Sequence, residues 1–498
     1  MNEENVQITE NKNKSGTVSK RIVILFLICA ALLAAAELVF SSRKAIGLAL
    51  SGAPRTEIPI EEVSSLTGAK RDGDGIKITG ACKISFGVDS VPVEYIAVTF
   101  TKSKVYSEIS VLAKDSAQQK TVRQYQTDYV WLGDGYAVLD YDSAGEATYI
   151  TLQFSSAAKG TVVTGITLNE AFGIRFNTAR WLIAVLALAA VLMIKEFRLY
   201  RIVYDSADLN KRLFVVFAAA ICLISAFIGN VKGRSSVEYP FTKAVSEYTC
   251  YQQQTDALLK GRLDLDIDFD GESLASLDNP YDYSVRRVEA SKAHKLLWDK
   301  AYNAETGKIY SYFGIAPVLL FYLPFTVITG NMPGDGAASL FFTVVATFSF
   351  IAALLAMLGY FKIKTDVVTL SAGIAALCCG SLLYVLNVHP SMYYIAVICG
   401  MAFLALVINF ALRAAMAEKP LTRRVFLALA GLSVVLTVAS RPIALIYAVM
   451  LLPAFIKFFF TEKRPLKTKL AESAFLFVPV IAGAAAIMAY NAARFGSP

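Results

Sequence analysis

The sequence predicts an α-helical polytopic membrane protein of about nine transmembrane helices with an inserted extracytoplasmic β-sandwich. Three observations predict it. Hydrophobic residues form 55% of the chain and mean hydropathy is +0.50, which places apolar runs of bilayer-crossing length throughout it. Lysine and arginine gather in short clusters beside those runs, as in the inside loops of membrane proteins. From residue 55 to residue 172 the apolar period shortens to two, the mark of half-buried strands. The +8 net charge therefore belongs to inside loops, and nucleic-acid binding is excluded for want of a basic stripe with interleaved aromatics.

Residues 1–21 form a polar cytoplasmic tail, and Lys12, Lys14, Lys20 and Arg21 fix the N-terminus inside. The first span, residues 22–40, ends near Ala34-Ala35-Ala36 like a signal peptide but is long for one. Glu37, near its outer end, reads as an interfacial carboxylate that reaches the headgroups.

The 55–172 block contains IKITGACKISF, VEYIAVTF, TYITLQF and similar runs, divided by turns at Asp72-Gly73, Gly133-Asp134-Gly135 and Ser143-Ala144-Gly145. About seven strands are expected. Ile150, Leu152 and Phe154 should face the core, and Tyr149, Thr151 and Gln153 should face outward. Its aromatics read first as packing residues and second as glycan platforms.

Two spans occupy 176–229, joined by a basic inside loop containing KEFRLYR and DLNKR. Residues 231–330 then form a long, mostly polar outer loop, a length that in a membrane protein signals function. Residues 313–329 are apolar enough to suggest another span. If they crossed, the basic loops at 413–424 and 461–469 would lie outside, and Pro317 and Pro324 interrupt the run. They read as a juxtamembrane or re-entrant helix. Spans four to nine follow within 339–490, with outer connections at 387–392 and 440–442. The end, 491–498, lies outside and reads as an interrupted chain.

Cys29, Cys222, Cys378, Cys379 and Cys399 lie in apolar runs; Cys82 and Cys250 lie in polar ones without CxxC spacing. His294 and His389 are the two histidines. Neither a disulfide framework nor a zinc site is expected.

The order of a span, a long acidic outer loop, a juxtamembrane helix and further spans resembles the GT-C membrane glycosyltransferases, which use polyprenyl-phosphate sugars and include protein O-mannosyltransferases and lipid A aminoarabinose transferases. The residues that carry the resemblance are Glu247-Tyr248-Thr249-Cys250-Tyr251-Gln252 leading to Thr255-Asp256 and Gly261-Arg262, then Tyr310-Ser311-Tyr312-Phe313-Gly314-Ile315-Ala316-Pro317, and Ser440-Arg441-Pro442. The end, Tyr490-Asn491 to Arg494-Phe495-Gly496, is similar to uncharacterised bacterial members. The resemblance covers residues 213–498 and not the β-domain. It implies a multi-pass cell-membrane enzyme whose outer face moves a sugar from a polyprenyl-phosphate donor to a cell-envelope glycan, lipid or protein acceptor.

Such transfer needs a carboxylate to take the acceptor's proton and cations to hold the departing phosphate. The resemblance points to Glu247 as base, with Asp256 second; Asp256 equally suits a helix surface. Arg441, at a span end, is the leading phosphate ligand, and Arg494 and Arg286, paired with Arg287, are further cations. Asp278 and Asp282, in a Leu277-Asp278-Asn279-Pro280 turn, suit sugar hydroxyls or the turn itself. His389, beside Pro390, is a further outer candidate, and Trp298 and Tyr302 could stack on a sugar. The run Asp266-x-Asp268-x-Asp270-Gly271 begins like a calcium loop, but its twelfth position is Leu277. A solvated acidic edge strand fits better. No cofactor is expected, although a divalent cation is compatible.

Two departures keep rival readings open. Ser246 precedes Glu247 where the family often has a second carboxylate, and the second outer loop reads His389-Pro390-Ser391-Met392-Tyr393-Tyr394, also without one. A non-catalytic relative that binds or scaffolds cell-envelope polymer is one rival. A lipid-linked glycan transporter is the other, but transporters carry mid-membrane ionisable sites, and Glu37 stands almost alone.

Overall fold

The computed structural model describes residues 20–117, 119–120, 122–123, 128–141, 143–170, 176–232, 248–290, 297, 299–456, 460 and 464–496. The chain divides into two compact units, Met1–Phe197 and Arg198–Pro498.

The first unit joins two apolar helices to a β-domain. Helices α1 (Lys20–Ser41) and α3 (Thr178–Glu196) are held together near the end of one and the start of the other. Arg180 donates from Nε to Glu37 Oε2 at 2.7 Å and from Nη2 to Glu37 Oε1 at 2.6 Å. Trp181 Nε1 adds a bond to the Ala30 carbonyl at 3.2 Å. The expectation that Glu37 simply reaches for headgroups is corrected: it is 8% exposed, and a buried carboxylate persists there because its cation is delivered by the partner helix. A short helix, α2 (Arg43–Ser51), leads into the strands.

The ten strands are β1 (Thr56–Ile58), β2 (Ser65–Asp72), β3 (Gly75–Pro92), β4 (Tyr95–Phe100), β5 (Tyr106–Asp115), β6 (Val122–Arg123), β7 (Asp128–Trp131), β8 (Tyr136–Asp140), β9 (Glu146–Phe154) and β10 (Val162–Leu168). Every pairing is antiparallel, in the order β6-β5-β9-β3-β10-β4-β8, with β1 on β10, β2 on β3 and β7 on β5. Among the described residues the strands number ten, against the expected seven or so, in one continuous network. The reason is β3: its 18 residues pair with β10 at one end and with β9 at the other, so one strand links what two separate sheets would have divided.

Ile150, Leu152 and Phe154 are buried in the core, following the predicted alternation. Thr151 breaks it. It is buried rather than outward, because β9 is a central strand and Ser85 of β3 meets its hydroxyl at 2.9 Å. The aromatic pair Tyr106–Trp131 packs at 4.8 Å between ring centroids.

In the second unit the elements are α4 (Leu209–Lys232), α5 (Cys250–Leu259), α6 (Gly271–Ala275), α7 (Tyr283–Glu289), the hairpin β11 (Lys300–Asn303) and β12 (Lys308–Ser311), and a π turn (Val318–Tyr322) running into α8 (Leu323–Thr329). Then come α9 (Asp335–Tyr360), α10 (Val367–Cys378), α11 (Leu382–Val388), α12 (Met392–Met416), α13 (Pro420–Ser440), a 3-10 stretch (Pro442–Leu451), α14 (Leu452–Ile456) and α15 (Leu466–Phe495).

Seven described helices are long and apolar enough to cross a membrane: α1, α3, α4, α9, α12, α13 and α15. The pair α10 and α11 is apolar enough only when taken together, and is bent by 47° at its break, the form of a broken span or a re-entrant loop. The sequence reads 367–386 as one uninterrupted span. The break falls where a Cβ on Gly380 would meet the Ala376 carbonyl at 2.8 Å and where Ser381 caps the new helix by accepting from Leu383 N. The predicted span 443–460 takes a different form, a 3-10 helix followed by a five-residue α-helix. The acidic stretch 264–270 is not a strand; its backbone bond to the hairpin is Leu265 N to Ile309 O at 2.8 Å, because its aspartates turn to nearby cations and a helix cap.

Helices α13 and α15 approach closely at Gly431, where a Cβ would meet the Leu476 carbonyl at 2.3 Å. Small residues at such crossings let helices pack without hydrophobic driving force.

Candidate functional site

The site is built on the first turn of α5. Thr249 caps it reciprocally with Gln252, whose Oε1 accepts from Thr249 N at 2.8 Å. Thr249 Oγ1 also donates to Asp335 Oδ1 at 2.9 Å, and Tyr322 Oη donates to the same oxygen at 2.6 Å. Gln252 Nε2 reaches the Pro333 carbonyl at 2.8 Å. Asp335, 5% exposed in the first turn of α9, thus ties α5 to both the π turn and a long apolar helix. A carboxylate is favoured at that helix start.

Tyr251 fills the centre. It is fully buried, and its ring lies 5.7 Å from both Phe313 and Tyr322. Burial pushes its phenol well above the ordinary value, with the acidic neighbours Cys399, Cys250 and Asp335 acting the same way and Arg441 opposing them. Cys250 Sγ lies 3.3 Å from Ser311 Oγ, and burial raises its thiol too.

Arg441 reaches this region from the end of α13. Gly314 packs so tightly there that a Cβ would meet the Ala439 carbonyl at 2.1 Å, which locks the strand-to-π-turn segment against the Ser440-Arg441 turn. Among the described residues the Arg441 guanidinium makes no hydrogen bond or ion pair, although its charge acts on Tyr251. Arg494 enters from the end of α15. It is 6% exposed, donates to the Ser311 carbonyl, and lies over the rings of Tyr310, Tyr490 and Phe495 at 5.3, 4.7 and 4.7 Å. Gln254 Nε2 reaches Tyr490 Oη at 2.9 Å.

Buried polar atoms without a partner concentrate here. Among the described residues they include Tyr251 Oη, Gln253 Oε1, Gln254 Oε1, Asp299 Oδ1 and Arg494 Nε, all on α5 or on segments that touch it. Native proteins pair nearly all such atoms, so a cluster of them marks space for water or a polar ligand. Asp299 joins the group through its carbonyl, which accepts from Cys250 Sγ at 3.8 Å. Burial pushes its carboxyl up, opposed by the charge of Lys300.

The remaining sequence candidates separate by partner. Glu247, His294 and Trp298 lie outside the described residues. Asp256 faces Lys260 at 2.8 Å. Asp264 and Asp266 are held below the usual carboxylate range, chiefly by hydrogen bonds from Arg262 and Lys260 respectively. Asp270 caps α6 and Asp282 caps α7; hydrogen bonding from Ser284 keeps the Asp282 carboxyl low. Arg286 is buried with Nη1 on the Pro280 carbonyl at 2.7 Å. Asp278 and His389 are exposed. Tyr302 exchanges bonds with Tyr281, accepting at its carbonyl at 2.7 Å and donating from its amide at 2.9 Å. Among the described residues no group of three or more His, Cys, Asp or Glu side chains could hold a metal.

Thus the structure gathers Arg441 and Arg494 around α5 and leaves Asp278 and His389 at the surface. Sequence reasoning missed Tyr251, Asp299 and Asp335 as members. Asp335 carried a signal: an Asp-Gly after Pro333-Gly334, directly before a long apolar run. Asp299 carried none.

No family model and no curated protein matches the chain. Solved structures that match in part include the C-terminal family 6 carbohydrate-binding module of LamC, a laminarinase from Zobellia galactanivorans (11% identity, 24% of this chain and 100% of that chain, TM-score 0.19). Another is a family 6 carbohydrate-binding module studied for its binding sub-sites (17% identity, 23% of this chain and 92% of that chain, TM-score 0.18). A third is the Podospora anserina GH26-CBM35 β-(1,4)-mannanase (15% identity, TM-score 0.17), of which this chain matches 27% over 23% of its own length. Similarity at these TM-scores carries no functional inference.

Proposed function

We propose that the protein is a membrane glycosyltransferase that moves a sugar from a polyprenyl-phosphate donor to a cell-envelope acceptor on the outer face. The observation that carries this reading is the cluster of partnerless buried polar atoms around α5, with the uncommitted Arg441 beside it. Hydroxyl-rich ligands satisfy phenol, amide and carboxylate groups together, and a guanidinium suits a phosphate. In the reaction the acceptor oxygen attacks the anomeric carbon as the bond from that carbon to the phosphate oxygen breaks. The polyprenyl phosphate departs with the bonding pair, and the acceptor proton passes to Glu247. Arg441 holds the departing phosphate; Asp299 and Gln254 orient hydroxyls.

This reading takes the chain to cross nine times. The bent pair counts as one, and the stretch Pro442–Ile456 as another. Its ten 3-10 residues and five α residues extend about 28 Å, near the thickness of a hydrocarbon core. The π turn and α8, with five and seven residues, extend only about 17 Å, short of a hydrocarbon core, which supports leaving them on the outer face. Every basic loop then falls inside.

The test is release of sugar from radiolabelled polyprenyl-phosphate hexoses in membranes containing the protein, beside Glu247→Gln. Turnover by the wild type that disappears in the variant supports the enzyme and its base. Absence of turnover with every donor tried, with the protein present, overturns this reading in favour of a binding or scaffold protein.

A further inference from the structure

A second site lies in the first unit, away from any residue used above. A cavity of about 680 Å³ opens between the end of α1, the start of α3 and the edge strand β8, with Phe40, Arg43, Asp134, Tyr136, Phe176 and Arg180 on its wall. That is the volume of a small-molecule site. Its chemistry is asymmetric. Arg180 and Arg43 both lie over the ring of Phe40, at 4.4 and 5.0 Å from its centroid.

The two guanidiniums are committed to different degrees. Arg180 has its Nε and Nη2 on Glu37 and Nη2 also on Ser41 Oγ at 2.9 Å, which fixes the plane of the group and leaves Nη1 without a bond among the described residues. Arg43 is exposed and forms no hydrogen bond or ion pair among them. The ion pair with Glu37 therefore serves to aim one cation, while Arg43 is held over the same ring. Both arginines line the cavity, and guanidinium groups suit a phosphate. Phe40, Tyr136 and Phe176 are 51%, 46% and 41% exposed, and such aromatic rings settle at a membrane–water boundary. Below the cavity α1 and α3 present large exposed apolar side chains, including Leu27, Leu32 and Leu186.

We infer that this cavity binds the phosphate headgroup of a membrane lipid. The phosphate meets Arg43 and Arg180 on the cavity wall, headgroup hydroxyls meet Asp134 and Tyr136, and the acyl chains follow the apolar faces of α1 and α3. This inference stands apart from glycosyl transfer, since none of these residues belongs to the α5 site.

The test uses the full chain in phosphatidylcholine nanodiscs doped with phosphatidylglycerol, released into native mass spectrometry, with wild type, Arg43→Gln and the control Arg55→Gln, whose own partner is Glu170 at 3.4 Å. Wild type and Arg55→Gln should retain phosphatidylglycerol, and Arg43→Gln should retain about tenfold less, the loss of one charge-assisted contact. Arg43 has no hydrogen-bonded or ion-paired partner among the described residues, and its contact with the exposed Phe40 ring contributes little, so folding is preserved. Equal retention by wild type and Arg43→Gln overturns the site. Displacement of the lipid by millimolar inorganic phosphate overturns the lipid assignment and makes this a site for soluble phosphate.

Discussion

Replacing Asp335 tests whether the first turn of α5 is held by one buried carboxylate. Its Oδ1 accepts from Thr249 at 2.9 Å and from Tyr322 at 2.6 Å, and Tyr322 is fully buried. Water has little access to replace either bond. A hydrogen bond to an ionised acceptor contributes about 1.5–3 kcal/mol, so Asp335→Ala should cost about 3–5 kcal/mol once some water enters the vacated space. Asp335→Asn keeps an acceptor in place and loses only the charge assistance, about 1 kcal/mol. On the scale of about 2–4 °C per kcal/mol for a unit of this size, the alanine variant should melt about 6–20 °C below wild type and the asparagine variant only about 2–4 °C below. Thermal unfolding in detergent gives the shifts, and amide exchange across Cys250–Leu259 shows whether α5 loosens first. Asparagine and alanine variants that melt together would refute the hydrogen-bond account. So would an alanine variant that melts with wild type.

Gly314→Ala should reduce both stability and turnover, because the new methyl must displace the Ala439 backbone lying 2.1 Å from it; overpacking of this kind costs about 1–3 kcal/mol, read by the same melts. Arg441→Gln should leave the melting temperature unchanged, since the guanidinium has no bonded partner among the described residues, yet cut transfer by about a hundredfold through loss of the phosphate contact; a stability loss with unchanged transfer would sink its assignment. Asp299→Asn should stabilise at pH 7 and lose that gain as the pH falls toward about 4: burial raises the folded carboxyl above its unfolded value, so the penalty exists only where the group is charged. Asp264→Asn should do the reverse, costing stability at pH 7 and nothing below the lowered folded value, because Arg262 stabilises the ionised form.

Long-period patterns were legible in the sequence and short-range partners were not. Apolar runs located the membrane-length helices because nineteen or more residues such as Thr178–Glu196 have few other ways to bury so much surface. Alternation located the core of β9, and failed at Thr151 because period two cannot reveal that both faces of a central strand are covered. The bend between α10 and α11 depended on a Gly-Ser pair inside an apolar run, where hydropathy alone reads straight through. For the site, the sequence put forward the α5 region, Arg441 and Arg494, which the fold brings near one another. It could not lead to Asp299 or Asp335, whose roles come from burial and from contacts 49 to 86 residues distant in sequence.

The carboxylates of the second unit are the clearest instance of that division. Composition presents them as one acidic loop, suggesting calcium or sugar. In the folded unit most have been assigned structural work by local geometry: Asp256, Asp264 and Asp266 meet lysines and arginines within a few residues, and Asp270 and Asp282 cap helices. Such pairings are cheap to form and exposed ones contribute little, so they leave the charge pattern looking richer in function than it is. Asp299 differs in kind. Its Oδ1 is buried and lacks a hydrogen bond among the described residues, an arrangement that costs stability and marks space for a water or a polar ligand. The distinction that matters for locating chemistry here is therefore not how many acidic residues a segment holds, but which of them the fold has left uncompensated beside α5.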